Sequence, residues 1–216
     1  MLPLALLALL SSSPLVSAQG NVSFFDPTSN GGSFLSTVSN NLGEPMNVII
    51  SGASSPQVLT PTGLLTYIQA IGFSTECLNM HSRAPFTANL GDGAGARNQS
   101  VEFREAFGDP FLGTCIELFL GGNHLRVFGP QVGSGALFLA TSIEAGLFQN
   151  HTVVPNGYDI GRDAIVRMAI GTKQFNGTTF NTTVQNLTGV MPSGSNGVNH
   201  GIAIDGNAVL LTVTIA

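Results

Sequence analysis

Residues 46–72 carry the sequence MNVIISGASSPQVLTPTGLLTYIQAIG, which predicts a buried strand followed by a helix. Residues 46–52 form a short run of apolar and β-branched side chains that ends at a glycine, as expected of a buried strand. Thr60 then provides a hydroxyl suited to an N-cap, and Pro61 suits the first helical position. An apolar stripe follows on one face, and Gly72 supplies the stop. A strand that leads into an amphipathic helix indicates a domain in which helices pack on a sheet.

Further strands and a second helix are predicted beyond this segment. Runs of apolar and β-branched residues predict further strands at residues 115–120, 124–128, 135–142, 201–204 and 208–215. The first two and the last two of these runs are separated by short glycine-containing turns, which are typical of hairpins. Residues 158–171 predict the second helix, because apolar residues line one side and arginines the other. We therefore expect one compact α/β or α+β domain with a mixed sheet and at least two packed helices.

Composition restricts the partners that the chain can bind. The 216 residues are enough for a sizeable core, and 43% of them are apolar. Only 9% are charged, whereas an average domain has roughly 25%. The net charge is −5, and the seven Lys and Arg residues are scattered, so they form no basic patch that could neutralise a row of phosphates. Nucleic acid is therefore excluded as a partner.

The amino-terminal segment has the layout of a signal peptide. Residues 1–18 combine an apolar run, a polar break and the small residues Val16-Ser17-Ala18, which predicts cleavage after Ala18. The apolar run is shorter than the roughly 20 residues that span a bilayer, and an uncleaved anchor is the alternative. We expect a secreted, extracellular protein with no transmembrane segment in the mature chain. After the signal peptide, an irregular lead-in is expected over residues 19–43 and a globular domain over residues 44–216.

Cysteines and asparagines agree with export. Cys77 and Cys115 are the only cysteines, so an oxidising compartment allows one disulfide between them, and two buried free thiols are the alternative. Six Asn-x-Ser/Thr sequons are candidate N-glycosylation sites: Asn21, Asn98, Asn150, Asn176, Asn181 and Asn186. Glycans at these positions would keep a sparsely charged surface soluble.

Candidate catalytic residues form a single constellation. The chain has no nucleophile elbow and no metal-binding motif, and we expect neither a metal nor a cofactor. Six residues could form a polar pocket with titratable histidines, carboxylates and guanidinium groups: His124, Arg126, His151, Asp159, Arg162 and Asp163. The first two share one face of a predicted strand, and the last three lie side by side on the second predicted helix. Local caps, ion pairs and hydrogen bonds are the alternative role for all six.

Four short segments follow one another in the chain: Glu44-Pro-Met-Asn47, His124-Leu-Arg126-Val-Phe128, His151 with Asp159-Ile-Gly-Arg162-Asp163, and Asp205-Gly206. In this order, over about residues 44–215, they resemble the LssY-type C-terminal domain family. Phe128 stands where that family usually has tryptophan, and Ile204 replaces the residue before Asp-Gly. The resemblance implies the fold and the location of a site, and it names no reaction.

Two functions are open at this stage. The first is a non-catalytic binding or interaction module that engages an extracellular ligand, a wall polymer or a protein through its apolar-rich surface. The second is a phosphoesterase-like hydrolase built from the six candidate residues. In it, a histidine acts as general acid or base, an arginine holds an anionic group and an aspartate orients the histidine. A shared pocket would favour the hydrolase, and separate salt bridges would favour the module.

Overall fold

A curled, mixed sheet of eight strands lies at the centre of the structure. The computed structural model describes residues 22–39, 41–80 and 84–216, so the predicted signal peptide and Asn21 lie outside the described residues. In these residues the strands are β1 (Val48–Ile50), β2 (Phe73–Thr75), β3 (Thr87–Asn89), β4 (Ala96–Asn98), β5 (Val101–Glu105), β6 (Gly121–Phe128), β7 (Leu137–Ala145), β8 (Gly171–Phe175), β9 (Thr178–Leu187) and β10 (Ala208–Ile215). The α-helices are α1 (Pro61–Ala70), α2 (Gly113–Leu120) and α3 (Gly157–Ala169).

The strands of the large sheet follow the order β2-β5-β6-β7-β1-β10-β9-β8, and β3 pairs with β4 in a separate sheet. Between these strands, only β1 and β10 run parallel to each other. Val48 of β1 lies opposite Leu139 on one side and Val209 on the other. A mostly antiparallel sheet with packed helices makes this one compact α+β domain, which confirms the predicted fold class.

Both helices predicted from local signals are present. α1 begins directly after Thr60, whose Oγ1 accepts a hydrogen bond from Gly63 N at 3.1 Å, as an N-cap does. α3 coincides with the helix predicted over residues 158–171 to within two residues at each end. β1 likewise lies inside the strand predicted over residues 46–52. The capping and stop residues therefore locate these elements correctly.

Side chains alternate between two hydrophobic cores, one on each face of the sheet. Val48 and Ile50 point towards α1, and Ile49 points to the opposite face. On the α1 face, the rings of Tyr67 and Phe180 meet edge to face with centroids 5.4 Å apart. This contact anchors α1 over β9, and the curled sheet also brings its two edge strands, β2 and β8, against the helix.

The predicted lead-in covers the other face of the sheet. Residues 22–39 contain isolated bridges and a short 3-10 turn at Ser29–Gly31, and they form no strand of either sheet. Phe34 is nevertheless buried, with its ring centroid 6.4 Å from that of Phe138. The segment is irregular in structure and contributes to the second core.

α3 lies across the end of β7. A Cβ added at Gly161 would lie 2.9 Å from Ser142 Cα, so this close approach requires glycine. Asn47 Nδ2 donates a hydrogen bond to Tyr158 O at 2.9 Å, and its Oδ1 accepts one from Thr141 Oγ1 at 2.8 Å. One asparagine side chain therefore links the segment before β1, the strand β7 and the helix α3.

Both predicted hairpins are wrong. Residues 115–120 belong to α2, and β6 begins at Gly121, so no turn separates two strands there. A six-residue apolar run fits a buried strand and a helix equally well, and Gly121, with φ 83°, ends the helix. Residues 201–204 form an isolated bridge through Ile204, and β10 pairs with β9 and β1 instead.

Candidate functional site

His124 and Arg126 lie side by side on β6, as their alternation predicts. Both side chains are buried, and His124 has 0% of its surface exposed. Arg126 Nη1 lies 2.6 Å from His124 Nε2. Because a guanidinium group carries only donors, Nε2 is the acceptor in this contact. The pair is held in one orientation and shielded from solvent.

Neighbouring strands place further charged side chains around this pair. Glu102 of β5 lies opposite Arg126, and Arg104 of β5 lies opposite His124. Glu144 lies on β7, two residues beyond the residue opposite His124. Because side chains two residues apart on a strand share a face, these groups point to the same face of the sheet, opposite α1.

Two carboxylates from outside these strands, Glu44 and Glu117, complete the group. We call the whole set the buried ionic cluster: Glu44, Glu102, Arg104, Glu117, His124, Arg126 and Glu144. Arg126 contacts Glu44 (Nη1–Oε2 2.7 Å) and Glu102 (Nε–Oε2 3.2 Å). Arg104 contacts Glu102 (Nη2–Oε1 2.7 Å) and Glu117 (Nη1–Oε2 3.0 Å). Glu102 therefore joins the two arginines into one network.

Every glutamate of the chain lies in this cluster or at its edge. Glu76 Oε1 lies 3.8 Å from Arg104 Nε, and Glu105 Oε2 accepts a hydrogen bond from Asn123 N at 3.1 Å. The described part of the cluster thus contains more carboxylates than guanidinium groups. Burying so many carboxylates at one place requires that some of them take up a proton.

Glu144 is the carboxyl that does so. Burial raises its pKa to about 8, even though Arg126 and Arg104 act in the opposite direction. Burial likewise raises the pKa of Glu117. At neutral pH most Glu144 side chains are protonated, and Oε1 lies 3.4 Å from His124 Nε2. The cluster therefore contains an acid beside a histidine.

A cleft reaches the edge of the buried ionic cluster. Its volume is about 310 Å³, and Glu76, Gln99 and Glu102 are among the residues that line it. Glu102 is the most deeply buried of these three side chains and is bound to both arginines of the cluster. A molecule in the cleft would thus meet a carboxylate that already has two cationic partners.

The predicted residues of α3 form a separate group. Arg162 makes a two-pronged ion pair with Asp205 (Nη1–Oδ1 2.7 Å, Nη2–Oδ2 2.9 Å) and also contacts Asp163 (Nη2–Oδ1 2.9 Å). Asp159 Oδ2 accepts a hydrogen bond from Asp205 N at 3.1 Å. Although burial acts in the opposite direction, hydrogen bonding to Arg162 lowers the pKa of Asp205. These contacts hold the loop at residues 205–207 against α3.

The candidate residues are therefore divided between three places. His124 and Arg126 lie in the buried ionic cluster, and Asp159, Arg162 and Asp163 surround Asp205. His151 lies in the loop after β7, half-buried and with a left-handed φ of 51°. The ion pairs between described residues do not unite the six side chains in one pocket. The α3 residues instead form local ion pairs, as expected if their role is structural and not catalytic.

A repeated spacing could have revealed part of the cluster. Glu102-Phe-Arg104 on β5 has the same two-residue spacing as His124-Leu-Arg126 on β6 and Ser142-Ile-Glu144 on β7. Polar pairs at this spacing on several apolar strands indicate a shared polar stripe once the strands are neighbours. Glu44 and Glu117 lie outside the strands, and tertiary packing alone brings them in.

α2 turns its polar side chains inwards and its apolar side chains outwards. Thr114 and Glu117 are buried, whereas Ile116, Phe119 and Leu120 are exposed. An ordinary surface helix shows the opposite distribution. The inverted orientation follows from the ion pair that draws Glu117 into the buried ionic cluster.

Adjoining loops extend this apolar surface, which we call the α2 patch: Phe107, Phe111, Leu112, Ile116, Phe119, Leu120, Leu147 and Phe148. The turn that follows β7 lies directly against the end of α2, since a Cβ added at Gly146 would collide with the carbonyl oxygen of Phe119. On the other side, a Cys77–Cys115 disulfide with a Cα–Cα distance of 4.7 Å joins α2 to a short 3-10 turn. This bond confirms the predicted pairing. Exposed Leu78 and Met80 continue the surface beyond it.

The sequons lie on the surface and are unevenly distributed. The five described asparagines are all exposed: Asn98, Asn150, Asn176, Asn181 and Asn186. The last three lie on the β8–β9 hairpin, at the edge of the sheet farthest from β2. Asn150 lies two residues from Phe148, at the rim of the α2 patch. The α2 patch and the main group of sequons therefore occupy opposite ends of the sheet.

The described residues contain neither a membrane-spanning helix nor a metal-binding group of side chains. No described helix combines the length and the apolar character needed to cross a membrane. In the same residues, no three His, Cys, Asp or Glu side chains are grouped so that they could hold a metal ion. In comparisons with known proteins, no family model, curated protein or solved structure matches this chain.

Proposed function

We propose that this protein is a secreted, glycosylated interaction module that binds its partner through the α2 patch. The inverted orientation of α2 carries the proposal, because it exposes a contiguous group of large apolar side chains. The largest apolar patch on a typical monomer measures roughly 300–600 Å² and is often functional. The α2 patch contains four exposed phenylalanines, two of which, Phe111 and Phe148, project almost completely into solvent.

Three other features support export. A disulfide is the expected state of two cysteines in an oxidising compartment, and this chain has one. The described sequons are all exposed, as glycan acceptors must be. The expected signal peptide over residues 1–18 would supply the route. Glycans would also compensate for the low content of charged residues.

We include the LssY-type resemblance of residues 44–215 in this proposal. Its motif residues join separate elements of this fold, which supports the proposal that the chain shares its architecture with that family. Asn47 links the segment before β1 to β7 and α3, and Arg126 links Glu44 to β6. Arg162 and Asp205 hold the last loop against α3.

The contact surface is tested with the full chain secreted from eukaryotic cells. Phe111→Asp and Phe148→Asp place a charge in the α2 patch, and Ile170→Asp does the same at an exposed apolar residue just after α3. Wild type and Ile170→Asp should be retained on a phenyl-substituted matrix, and the two patch variants should elute at higher salt concentration. Identical elution of all four proteins when they are loaded as monomers would overturn the proposed contact surface.

Export and glycosylation are tested on the same wild-type preparation. Sequencing of the secreted chain should find Gln19 as the first residue. Enzymatic removal of N-linked glycans should lower the mass by more than one glycan. A secreted chain whose mass does not change would contradict the glycoprotein part of the proposal.

A hydrolase acting on phosphoesters is the second candidate. It is favoured by the contact between His124 and Glu144, whose pKa burial raises to about 8, because such a pair can take part in general acid–base catalysis. Buried ionic groups are seldom the most stabilising choice for a core, which is consistent with a functional role. The module ranks first because the arginines of the cluster are already bound to carboxylates. A phosphoesterase screen of wild type, His124→Ala and His151→Ala tests the hydrolase, and equal activity in all three removes it.

A further inference from the structure

The α2 patch has the area of a protein–protein interface. A covered aromatic side chain buries roughly 150–250 Å². Phe111, Phe119 and Phe148 are 81%, 52% and 83% exposed, so they present on the order of 300–500 Å². Leu112 and Leu120 add aliphatic surface to this area. The total approaches the roughly 800 Å² that each partner contributes to an interface of standard size.

In the described residues of α2 and of the loop before it, exposed charge is confined to the border of the patch. Between residues 106 and 123 the charged side chains are Asp109 and Glu117. Asp109 Oδ1 accepts hydrogen bonds from Phe111 N at 2.8 Å and Leu112 N at 3.1 Å, and Glu117 points inwards. Helices that lie on anionic membranes carry Lys and Arg beside their apolar face, and this segment has neither. An uncharged apolar protein surface complements the patch better.

A second copy of the chain offers such a surface. In a dimer with two-fold symmetry the same patch lies on both sides of the interface. Ile116, Phe119 and Leu120 share one face of α2, at the spacing with which two helices pack. The net charge of −5 does not oppose this contact directly, because no charge faces the partner across the centre of the patch. Three sequons lie on the β8–β9 hairpin, at the other edge of the sheet in strand order, and Asn150 lies at the rim of the patch, where its glycan would stand beside the interface.

We propose that the α2 patch is the interface of a homodimer in which α2 of one copy packs against α2 of its partner around a two-fold axis. The inference rests on the proposed function, since it names the partner of the same surface. Ile116 and Phe119 lie at the centre of this interface, and Phe111 and Phe148 lie towards its rim.

The mass in solution tests the dimer. Size-exclusion chromatography with light scattering is run at several concentrations on secreted wild type, Ile116→Asp, Phe119→Asp and the control Ile170→Asp. Wild type and the control should have twice the mass of one glycosylated chain. The two central variants place like charges across the axis and should raise the dimer Kd by about 30-fold or more. Thermal melts of the four proteins show that the variants are folded.

Wild type that has the mass of one chain at every concentration overturns the dimer. So does a Phe119→Asp variant that is folded and still dimeric. Flotation with zwitterionic phosphatidylcholine vesicles tests the other partner: monomeric wild type that floats, with Phe119→Asp remaining below, assigns the patch to lipid. Retention on the phenyl matrix separates the two proposals. If wild type is monomeric at every concentration, patch-dependent retention refutes the dimer alone, whereas patch-independent retention refutes the interaction module as well.

Discussion

The two ends of the large sheet distribute polar and apolar side chains in opposite ways. At the β9–β8 end, Phe180 is buried against α1, while Asn181 and Thr183 face solvent. At the β2–β5 end, Glu117 is buried and Phe119 is exposed. The first end follows the usual distribution of residues in globular proteins, and the second inverts it.

A low content of charged residues therefore says little about where in the fold the charges lie. The glutamates of this chain converge at one end, and the surface at the other end is left to asparagine, threonine and the expected glycans. Removing charges from water is costly. In return, the buried ionic cluster orients α2, because the Glu117–Arg104 ion pair fixes this helix with its apolar side outwards. The ionic core at this end creates the apolar contact surface.

Truncating one phenylalanine at each end should change the free energy of unfolding by very different amounts. Phe180→Ala should lower the free energy of unfolding by about 3–5 kcal/mol, because it leaves a cavity beside Tyr67. Phe119→Ala should change that of the monomer by no more than about 0.5 kcal/mol, because in a single chain the ring is already in contact with water. Chemical denaturation of both variants measures the difference. Similar losses in the two would show that the ends are built alike.

Removing a cation from the buried ionic cluster tests the inverted end alone. Arg126→Met should lower the free energy of unfolding by about 3–5 kcal/mol, because the buried carboxylates of Glu44 and Glu102 lose a charged partner. Arg167→Met, at an exposed position on α3, is the matched control and should change it by less than about 0.5 kcal/mol. Urea titrations give both values. An Arg126→Met protein as stable as the control would mean that the cluster needs no cation.

The stability of the inverted end should also depend on pH, through Glu144. The pKa of Glu144 is about 8 in the folded protein and 4.5 ordinarily, so between these values the folded state holds a proton that the unfolded state has released. Its contribution to stability is complete below pH 4.5 and is lost as the pH rises through about 8. The loss amounts to at most about 1.4 kcal/mol per pH unit.

Glu144→Gln mimics the protonated form and should flatten the decline of Tm between pH 5 and 8. Asp163→Asn, which removes an exposed carboxylate from α3, should leave the slope as in wild type. Thermal melts across this pH range make the measurement. A steep slope that persists in Glu144→Gln would assign the titration to another group.

The smallest expected effect concerns the ordinary end. Thr60→Ala removes the hydroxyl that accepts a hydrogen bond from Gly63 N and should cost about 1 kcal/mol of stability. Thr62→Ala, in the same exposed first turn, should cost less than about 0.5 kcal/mol. Denaturant midpoints of the two variants give the comparison. Equal midpoints would mean that packing of Tyr67 holds α1 without its cap.

Local signals account for the elements that were predicted correctly. The Thr60-Pro61 cap locates α1, the Asp159 to Arg167 pattern locates α3, and the only two cysteines locate the disulfide. These features depend on residues close together in sequence or on a unique pairing. They need no knowledge of the sheet order.

The remainder depends on contacts between distant residues. β8 and β9 escape prediction because threonine and asparagine fill positions where alternation would need apolar residues. The apolar run of α2 was interpreted as a strand because the partner that orients it, Arg104, comes from a different element. Glu44 and Glu117 could not be predicted beside the polar pairs of β5, β6 and β7 for the same reason, since tertiary packing alone brings them there.

The disulfide also determines how the chain would respond to a protease. The loop that it closes contains β3, β4 and β5, and within that loop Gly93 and Ala94 form an exposed turn. A single cut at this turn would leave two fragments joined by the sulfur bridge, with β5 still paired to β6. Such a nicked protein would migrate as an intact chain and separate into two bands only after reduction.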